Sequence, residues 1–554
     1  MPTVSVVLAM LAAVVASGYL VRVLPIPLPL PLVQIALGAA IASVANLGVQ
    51  LKPELFFLLF LPPLLFLDGW RIPKSTLFRD KTTVLALALG LVVFTVLGLG
   101  YLMHWLIPGM PLPVAFALAA VLSPTDPVAV SAIAERIPIP KRMMHILQGE
   151  SLLNDASGLV CLRFAVAAAI TGSFSLPQAF LTFLWLAIGG IVIGVAATWG
   201  TMQLKIVLTR RFGEESGSQV LISLLIPFGA YLLAEHLGCS GILAAVAAGI
   251  TMSYAEISGR ALAATRMHRT AVWDSLQFAA NGAIFVLLGE QLPGILDGAV
   301  GAVLESGHDD PWWLAIYALA ITLTLAGLRF IWVWLSLALT LFRAHRNGHS
   351  ESPLRLHWRP ILAMSVAGVR GAVTLAGVLT LPLALPDGSP FPARELSIFL
   401  AASVIILSLI VASVALPRLL RGLHMPPEPS RQADEDQARA AAAEAAIRAI
   451  ERTHHQLAAG RDDADLYADA AARLMEVYRR RIEEAVKTGE DRAMARHVGD
   501  IERRLRLAAL DAERDEVFRI ARAGRIGDET ARRLVRELDL LDARYGGERY
   551  GGER

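Results

Sequence analysis

Three carboxylates in two apolar stretches are the side chains of this sequence best placed to do chemistry. Asp126 stands in Ser123-Pro-Thr-Asp-Pro127, and Glu150 and Asp155 stand in Gly149-Glu-Ser-Leu-Leu-Asn-Asp155. A carboxylate inside a lipid-spanning segment costs ~2.5 kcal/mol or more to insert, so by default it marks an ion or proton site. On a helix, Ser151 and Asp155 are four residues apart and share a face, while Glu150 and Asn154 share another one position round. Ser151 and Asp155 can therefore point together toward Asp126, and with Thr125 and the adjacent Asn154 they make up the candidate ion-binding and proton-carrying group. Pro124 and Pro127 remove two backbone donors and restrict the residues before them, so the helix should be interrupted at Thr125 and Asp126. Backbone freed in this way is tolerated at membrane depth only where protein or water covers it, which places the interruption on a cavity wall. Oxygens from Asp126, Ser151 and Asp155, with the carbonyl at Thr125, form the all-oxygen set that a hard cation prefers. Sodium or lithium suits this chemistry and potassium is compatible with it. The cluster holds no His or Cys, which argues against a transition metal.

The elements that must position these residues are membrane helices. The chain has 554 residues, 55% hydrophobic and only 18% charged, with a mean hydropathy of +0.55. That balance belongs to a polytopic membrane protein. Stretches near the ~20 residues that cross a bilayer fall at 4–21, 28–47, 54–70, 83–106, 112–134, 143–171, 177–204, 218–236, 240–256, 271–291, 312–342, 359–382 and 395–420. The expectation is thus an all-α protein of thirteen transmembrane helices. Cytoplasmic loops collect Lys and Arg, and alternate loops here carry 18 such residues against two, Lys52 and Arg394, in the others. The split puts the N-terminus outside and the C-terminus in the cytoplasm. The start lacks the basic region of a cleavable signal peptide, so the first apolar run reads as a retained span. Cys161 and Cys239 both sit in apolar runs and form neither a disulfide framework nor a metal-ligand spacing.

The twelfth stretch has its own weak point at Gly368-Val-Arg370-Gly371, where glycines favour unwinding and Arg370 is a buried cation. Interruptions at corresponding places in two halves of a transporter point to inverted repeats with the substrate site between them. Seven spans separate the fifth stretch from the twelfth, which gives the two opposite orientations. Arg370 is the basic residue in the opposing broken span, so Glu150 is expected to form a structural ion pair with it. Leu67 or Asp68, in Leu67-Asp68-Gly69-Trp70, occupies the polar neighbourhood of the third stretch, where Asp68 would either line a cytoplasmic funnel or cap the helix. Arg163 and Arg329 are expected to be structural, Glu235, His236 and Glu290 to lie near the outer ends of their spans, and Asp274 and Asn281 have no assigned role.

Thr125-Asp126-Pro127, Gly149-Glu-Ser151 with Asn154-Asp155, and Gly368-Val-Arg370-Gly371 together resemble the signature segments of the monovalent cation/proton antiporters. That family includes bacterial sodium/proton antiporters and the sodium/hydrogen exchangers, and the resemblance spans roughly residues 1 to 424. It implies a homodimer of thirteen-span protomers, each with a dimerisation part and a core that moves like an elevator. It also implies that Asp126, Ser151, Asp155 and the backbone at Thr125 bind Na+, while Glu150 and Arg370 pair. Some prokaryotic members carry an extra Glu in the third span that this sequence lacks.

The expected function is therefore secondary antiport of a monovalent cation, most readily Na+, for H+, without a cofactor. Burial and a neighbouring carboxylate both favour the protonated form of a carboxyl group, so a proton and a cation compete for one site. Asn154 stays neutral where an Asp would titrate, and relatives with Asn-Asp here are generally electroneutral, which implies one cation per proton. A K+/H+ or mixed exchanger is the alternative. A channel would need a filter-like loop, which is absent, and an intramembrane aspartyl protease would need a Gly-x-Gly-Asp pattern, also absent.

Residues 425–554 form a second expected domain after the transmembrane domain 1–424. They hold 25 of the 50 Lys and Arg and 28 of the 48 Asp and Glu. Helix-favouring stretches at 434–458, 463–488, 490–523 and 528–544 predict a helical cytoplasmic domain with a regulatory role. Its mixed charge excludes a nucleic-acid partner. The expected setting is the cell (inner) membrane.

Overall fold

The computed structural model describes residues 2–546 apart from 25–27, 46–52, 75–77, 79, 128–129, 132–138, 173–175, 214, 258–262, 299–300, 302, 304–309, 347–357, 422–428, 459–463, 487–488 and 524. Two compact units divide the chain, Met1–Leu423 and His424–Arg554. The domain boundary expected near Met425 lies outside the described residues, as do Lys52, Arg79, Arg136, Arg260 and Arg355 of the loop count.

The regular elements of the first unit are helices among the described residues. Its N-terminal part runs α1 (Pro2–Val23), α2 (Leu30–Ala45), α3 (Pro53–Leu59), α4 (Leu61–Arg71) and α5 (Lys81–Leu85), then a π-helical stretch Ala86–Leu91 and α6 (Val92–Leu106). The middle holds α7 (Leu112–Leu122), α8 (Lys141–Thr171), α9 (Leu176–Phe212), α10 (Ser216–His236), α11 (Gly241–Ile257) and α12 (Ala263–Asp297). It closes with α13 (Trp312–Arg346), α14 (Trp358–Val366), α15 (Ala372–Leu379) and α16 (Arg394–Leu420). An isolated bridge between Ala384 and Pro390 is the only β pairing among the described residues.

Eight helical stretches are long and apolar enough to cross a membrane: Val6–Val23, Lys81–Leu106, Arg142–Thr171, Phe180–Phe212, Ser216–His236, Thr265–Asp297, Trp312–Leu339 and Arg394–Leu420. Leu30–Val44, Leu112–Leu122 and Gly241–Glu256 are apolar but shorter. The third and twelfth expected spans are each built from two short helices, α3 with α4 and α14 with α15. Among the described residues, helix thus lies within each of the thirteen expected stretches, eight of them at full length and the others as shorter or paired pieces. Pro124, Pro127 and the Gly368–Gly371 stretch account for the short helices of the fifth and twelfth stretches.

Lipid is the natural solvent for this surface. Along α9, Phe180, Trp185, Ile188, Val192 and Trp199 each leave more than half of their surface exposed, a pattern that water would penalise. By contrast α7 is buried from Ala117 to Leu122. Its interrupted end is thus wrapped in protein, as an irregular backbone at membrane depth requires. The π-helical stretch carries one extra residue in its turn, and Trp332 Nε1 from α13 donates to the carbonyl of Ala86 inside it (3.2 Å). Such bulges recur at functional sites.

The second unit contains α17 (Pro429–Ala458), α18 (Ala464–Val486), α19 (Gly489–Arg522) and α20 (Asp528–Gly546). α17 packs on α18 with Ala443 and Ala471 buried, and α19 on α20 with Leu507, Leu510, Ala531 and Leu538 buried. Arg514 ties the second pair together through Asp539 (3.1 Å) and Asp542 (2.7 Å).

Candidate ion-binding site

Two interrupted segments meet at the centre of the first unit. α7 ends at Leu122 and residues 123–127 are not helical; α14 ends at Val366, and α15 begins only at Ala372. The segments are joined main chain to main chain, with the Asp126 N–H donating to the Val369 carbonyl (2.8 Å). Pro127 cannot donate and Pro124 restricts Ser123 before it, so the Asp126 amide is available for a partner outside its own helix.

Beneath this joint lies a cavity of about 60 Å³, lined by Asp126, Asp155, Asp68, Ser151, Thr125, Thr374, Gln277 and Asn281 together with apolar residues. A single water needs roughly 10–15 Å³, so the space suits one ion and a little water. No basic side chain lines it among the described residues. Asp155 is 6% exposed, Ser151 and Thr125 are buried, and Asp126 is half-buried. The carboxylate of Asp126 also sits against Gly371, the residue that caps α15. A Cβ there would collide with Asp126 Oδ2, so only glycine lets the acid reach the helix N-terminus. Free amide groups and the helix dipole favour an anion at that end.

The structure brings Asp126, Ser151, Asp155 and Thr125 around one space. Asn154, grouped with them from sequence, does not line it; its Nδ2 donates to the Thr125 hydroxyl (3.0 Å), which donates to Glu150 Oε1 (3.1 Å). With its hydroxyl used in this way, Thr125 has its backbone carbonyl to offer an ion. Asp68 faces the cavity, whereas Leu67 is 1% exposed and packs in an apolar cluster with Phe66 and Trp273. That places Asp68, not Leu67, in the position the sequence left open between them.

The expected Glu150–Arg370 pair is corrected. Glu150, 1% exposed, is held by Arg329 of α13, whose Nη1 reaches Oε1 and whose Nη2 donates to Oε2 (2.6 Å). Arg329 is also anchored through Nε to the Met364 carbonyl (2.9 Å). Gly368 makes the pair possible, because a Cβ there would lie 2.9 Å from Arg329 Cδ. Arg370 instead turns back on its own segment, with Nη1 donating to the Gly368 carbonyl (2.5 Å) and its backbone N–H to Ser408 Oγ (3.1 Å). A two-pronged guanidinium on a carboxylate is the stronger arrangement. Arg163, expected to be structural, lies 3.6 Å from Glu235.

Gln277 and Asn281 are cavity residues that the sequence reading did not assign. With Asp274 they are spaced three and four apart, on one face of α12. Asp274 pairs with Arg71, and Gln277 accepts from Arg71 (2.8 Å), just beyond Asp68 on α4. The spacing was the available signal; that this face meets Asp68 was not.

An acidic cavity under a backbone joint, inside a lipid-facing helical body, defines an integral membrane ion transporter. Residues 8–422 match the family described as "Sodium/hydrogen exchanger, transmembrane". A protein of Escherichia coli (strain K12) named as an uncharacterized Na(+)/H(+) exchanger, YjcE, is 44% identical over 545 residues, 97% of this chain and 98% of that protein. A Bacillus pumilus (strain SAFR-032) protein named sodium, potassium, lithium and rubidium/H(+) antiporter is 42% identical over 415 residues, 74% of this chain but 60% of that protein. The solved structure of the sodium proton antiporter MjNhaP1 from Methanocaldococcus jannaschii at pH 8 aligns with a TM-score of 0.56 at 20% identity, covering 76% of this chain and 99% of that one, a likeness of fold. The chain belongs to the sodium/hydrogen exchanger family, whose members are cation/proton antiporters.

Proposed function

We propose that the protein exchanges one monovalent cation, Na+ first, for one proton at the cavity formed by Asp126, Asp155, Ser151 and the Thr125 carbonyl. The observation that carries this reading is a cavity lined by three carboxylates and by no basic side chain among the described residues. A site of that kind is neutralised either by a proton or by a cation. The two therefore compete, and alternating exposure of one site couples their fluxes in opposite directions. Asn154 contributes no titrating group, so the exchange is electroneutral. Glu150 and Arg329 hold the wall of the site and carry no ion.

The same reading makes the chain a homodimer of thirteen-span protomers in the cell (inner) membrane, N-terminus outside. The interrupted segments belong to inverted repeats in a core that moves as an elevator, and the second unit is a cytoplasmic regulator. Purified protein in proteoliposomes, tested with a pH-sensitive dye against Na+, Li+ and K+, should show cation-driven proton movement that Asp155→Asn abolishes. Wild-type behaviour of that variant would remove Asp155 from the mechanism. A second reading, exchange that includes K+, is favoured by the name of the Bacillus relative. A K+ response equal to the Na+ response would establish it.

A further inference from the structure

Arg370 and Gly371 are adjacent in sequence but line different cavities. Gly371 borders the acidic one, and Arg370 borders a second of about 30 Å³ between α13, α14 and α16. Arg370 is 3% exposed, and its Nε has no hydrogen-bond partner. With Glu150 held by Arg329, no carboxylate lies in ion-pair reach of Arg370 among the described residues. Both guanidiniums converge on Gly368, Arg329 over its Cα and Arg370 on its carbonyl. Two buried cations thus share one buried anion, and a buried charge demands compensation.

The walls of this second cavity supply what a small anion needs. Besides Arg370, the polar lining is Thr322, Ser365 and Ser408, and the remainder is apolar. Each hydroxyl donates to a carbonyl of its own helix, Thr322 to Ala318, Ser365 to Ile361 and Ser408 to Ile405. A hydroxyl proton rotates about its C–O bond and can be redirected. The volume exceeds what one water requires and is too small for a phosphate with its hydration. We propose that this cavity binds a single halide-sized anion, chloride among the common ions, held by the free face of the Arg370 guanidinium. The anion is a resident counter-charge for the joint between the two interrupted segments and is not exchanged.

The test is thermal unfolding of the full chain in detergent at constant sodium and ionic strength, with gluconate replaced stepwise by chloride or bromide. The midpoint should rise and saturate with either halide, and radiolabelled chloride should bind at a stoichiometry near one per chain. Thr322→Val should weaken the apparent halide affinity by about tenfold while leaving the midpoint in gluconate unchanged. Arg370→Gln should abolish the response; should that variant not fold, Ser408→Ala and Thr322→Val carry the test. A midpoint indifferent to halide, or a response equal in the wild type and in Thr322→Val and Ser408→Ala, would mean that the cavity holds water and would overturn the proposal. Because the readouts are stability and chloride binding, they stand apart from any failure of the cation/proton reading.

Discussion

Two faces of α8, one residue apart, treat a carboxylate in opposite ways. Glu150 is locked: Arg329 grips both its oxygens and the Thr125 hydroxyl donates to one of them. Asp155, five residues on and turned toward Asp126 and Asp68, borders a cavity with no basic lining residue among those described. Burial is similar, 1% against 6% exposure, so the surrounding charge separates the two, not depth in the protein. A matched carboxylate is architecture. One that faces other acids across a small space can trade its proton for a cation.

The sharpest way to break this comparison is to neutralise the cavity side. Asp126→Asn should lower cation-driven proton flux by roughly 100-fold, the equivalent of about 3 kcal/mol of lost ion stabilisation, with folding intact by size-exclusion profile. Retained flux would dissolve the contrast. On the matched side the damage should fall on stability: Arg329→Ala leaves Glu150 buried without its partner and should cost about 3–5 kcal/mol, read as lost yield and a lower unfolding midpoint. Replacing both, Glu150→Gln with Arg329→Met, should recover much of that loss, since removing a whole buried pair is often nearly neutral. A smaller effect is expected at Asp68, where Asp68→Asn should raise the apparent Km for Na+ by about 3- to 10-fold, on the order of 1 kcal/mol, with kcat little changed.

The smallest effect lies in the second unit. Arg519 donates to Glu516 (2.7 and 2.5 Å) and holds its carboxyl below the usual glutamate range. A depressed value means stability present above the unfolded value and lost as pH falls through the folded one. The difference in helix melting between wild type and Glu516→Gln should be small at pH 6 and should vanish as the pH falls through the depressed folded-state value.

The sequence carried the interruptions well, because proline and glycine act on the backbone wherever they stand. Pro124 and Pro127 marked the end of α7, and Gly368 to Gly371 marked the gap between α14 and α15. The shared face of Ser151 and Asp155 was equally legible, since it follows from helical period alone. The partner of Glu150 was not. Arg329 and Arg370 were both plausible cations, and the choice rests on how α13 packs beside α14, which no local pattern encodes. Helix length was less legible for a related reason: apolar stretches measure hydropathy, while the length of a helix depends on where the chain breaks. Gln277 and Asn281 were missed because polar residues on one face of α12 acquire meaning only once Asp68 is seen opposite them.

The hydrogen bond from the Asp126 amide to the Val369 carbonyl uses no side-chain atom. Ordinary substitution at either position leaves it standing, and only proline at 126 would delete its donor. It is a hinge-pin that side-chain changes hardly touch. Substitutions at the side chains around it, Asn281 among them, change the lining of the cavity without touching this bond. The chemistry of the cavity can thus be altered one side chain at a time while the scaffold that presents the cargo stays in place.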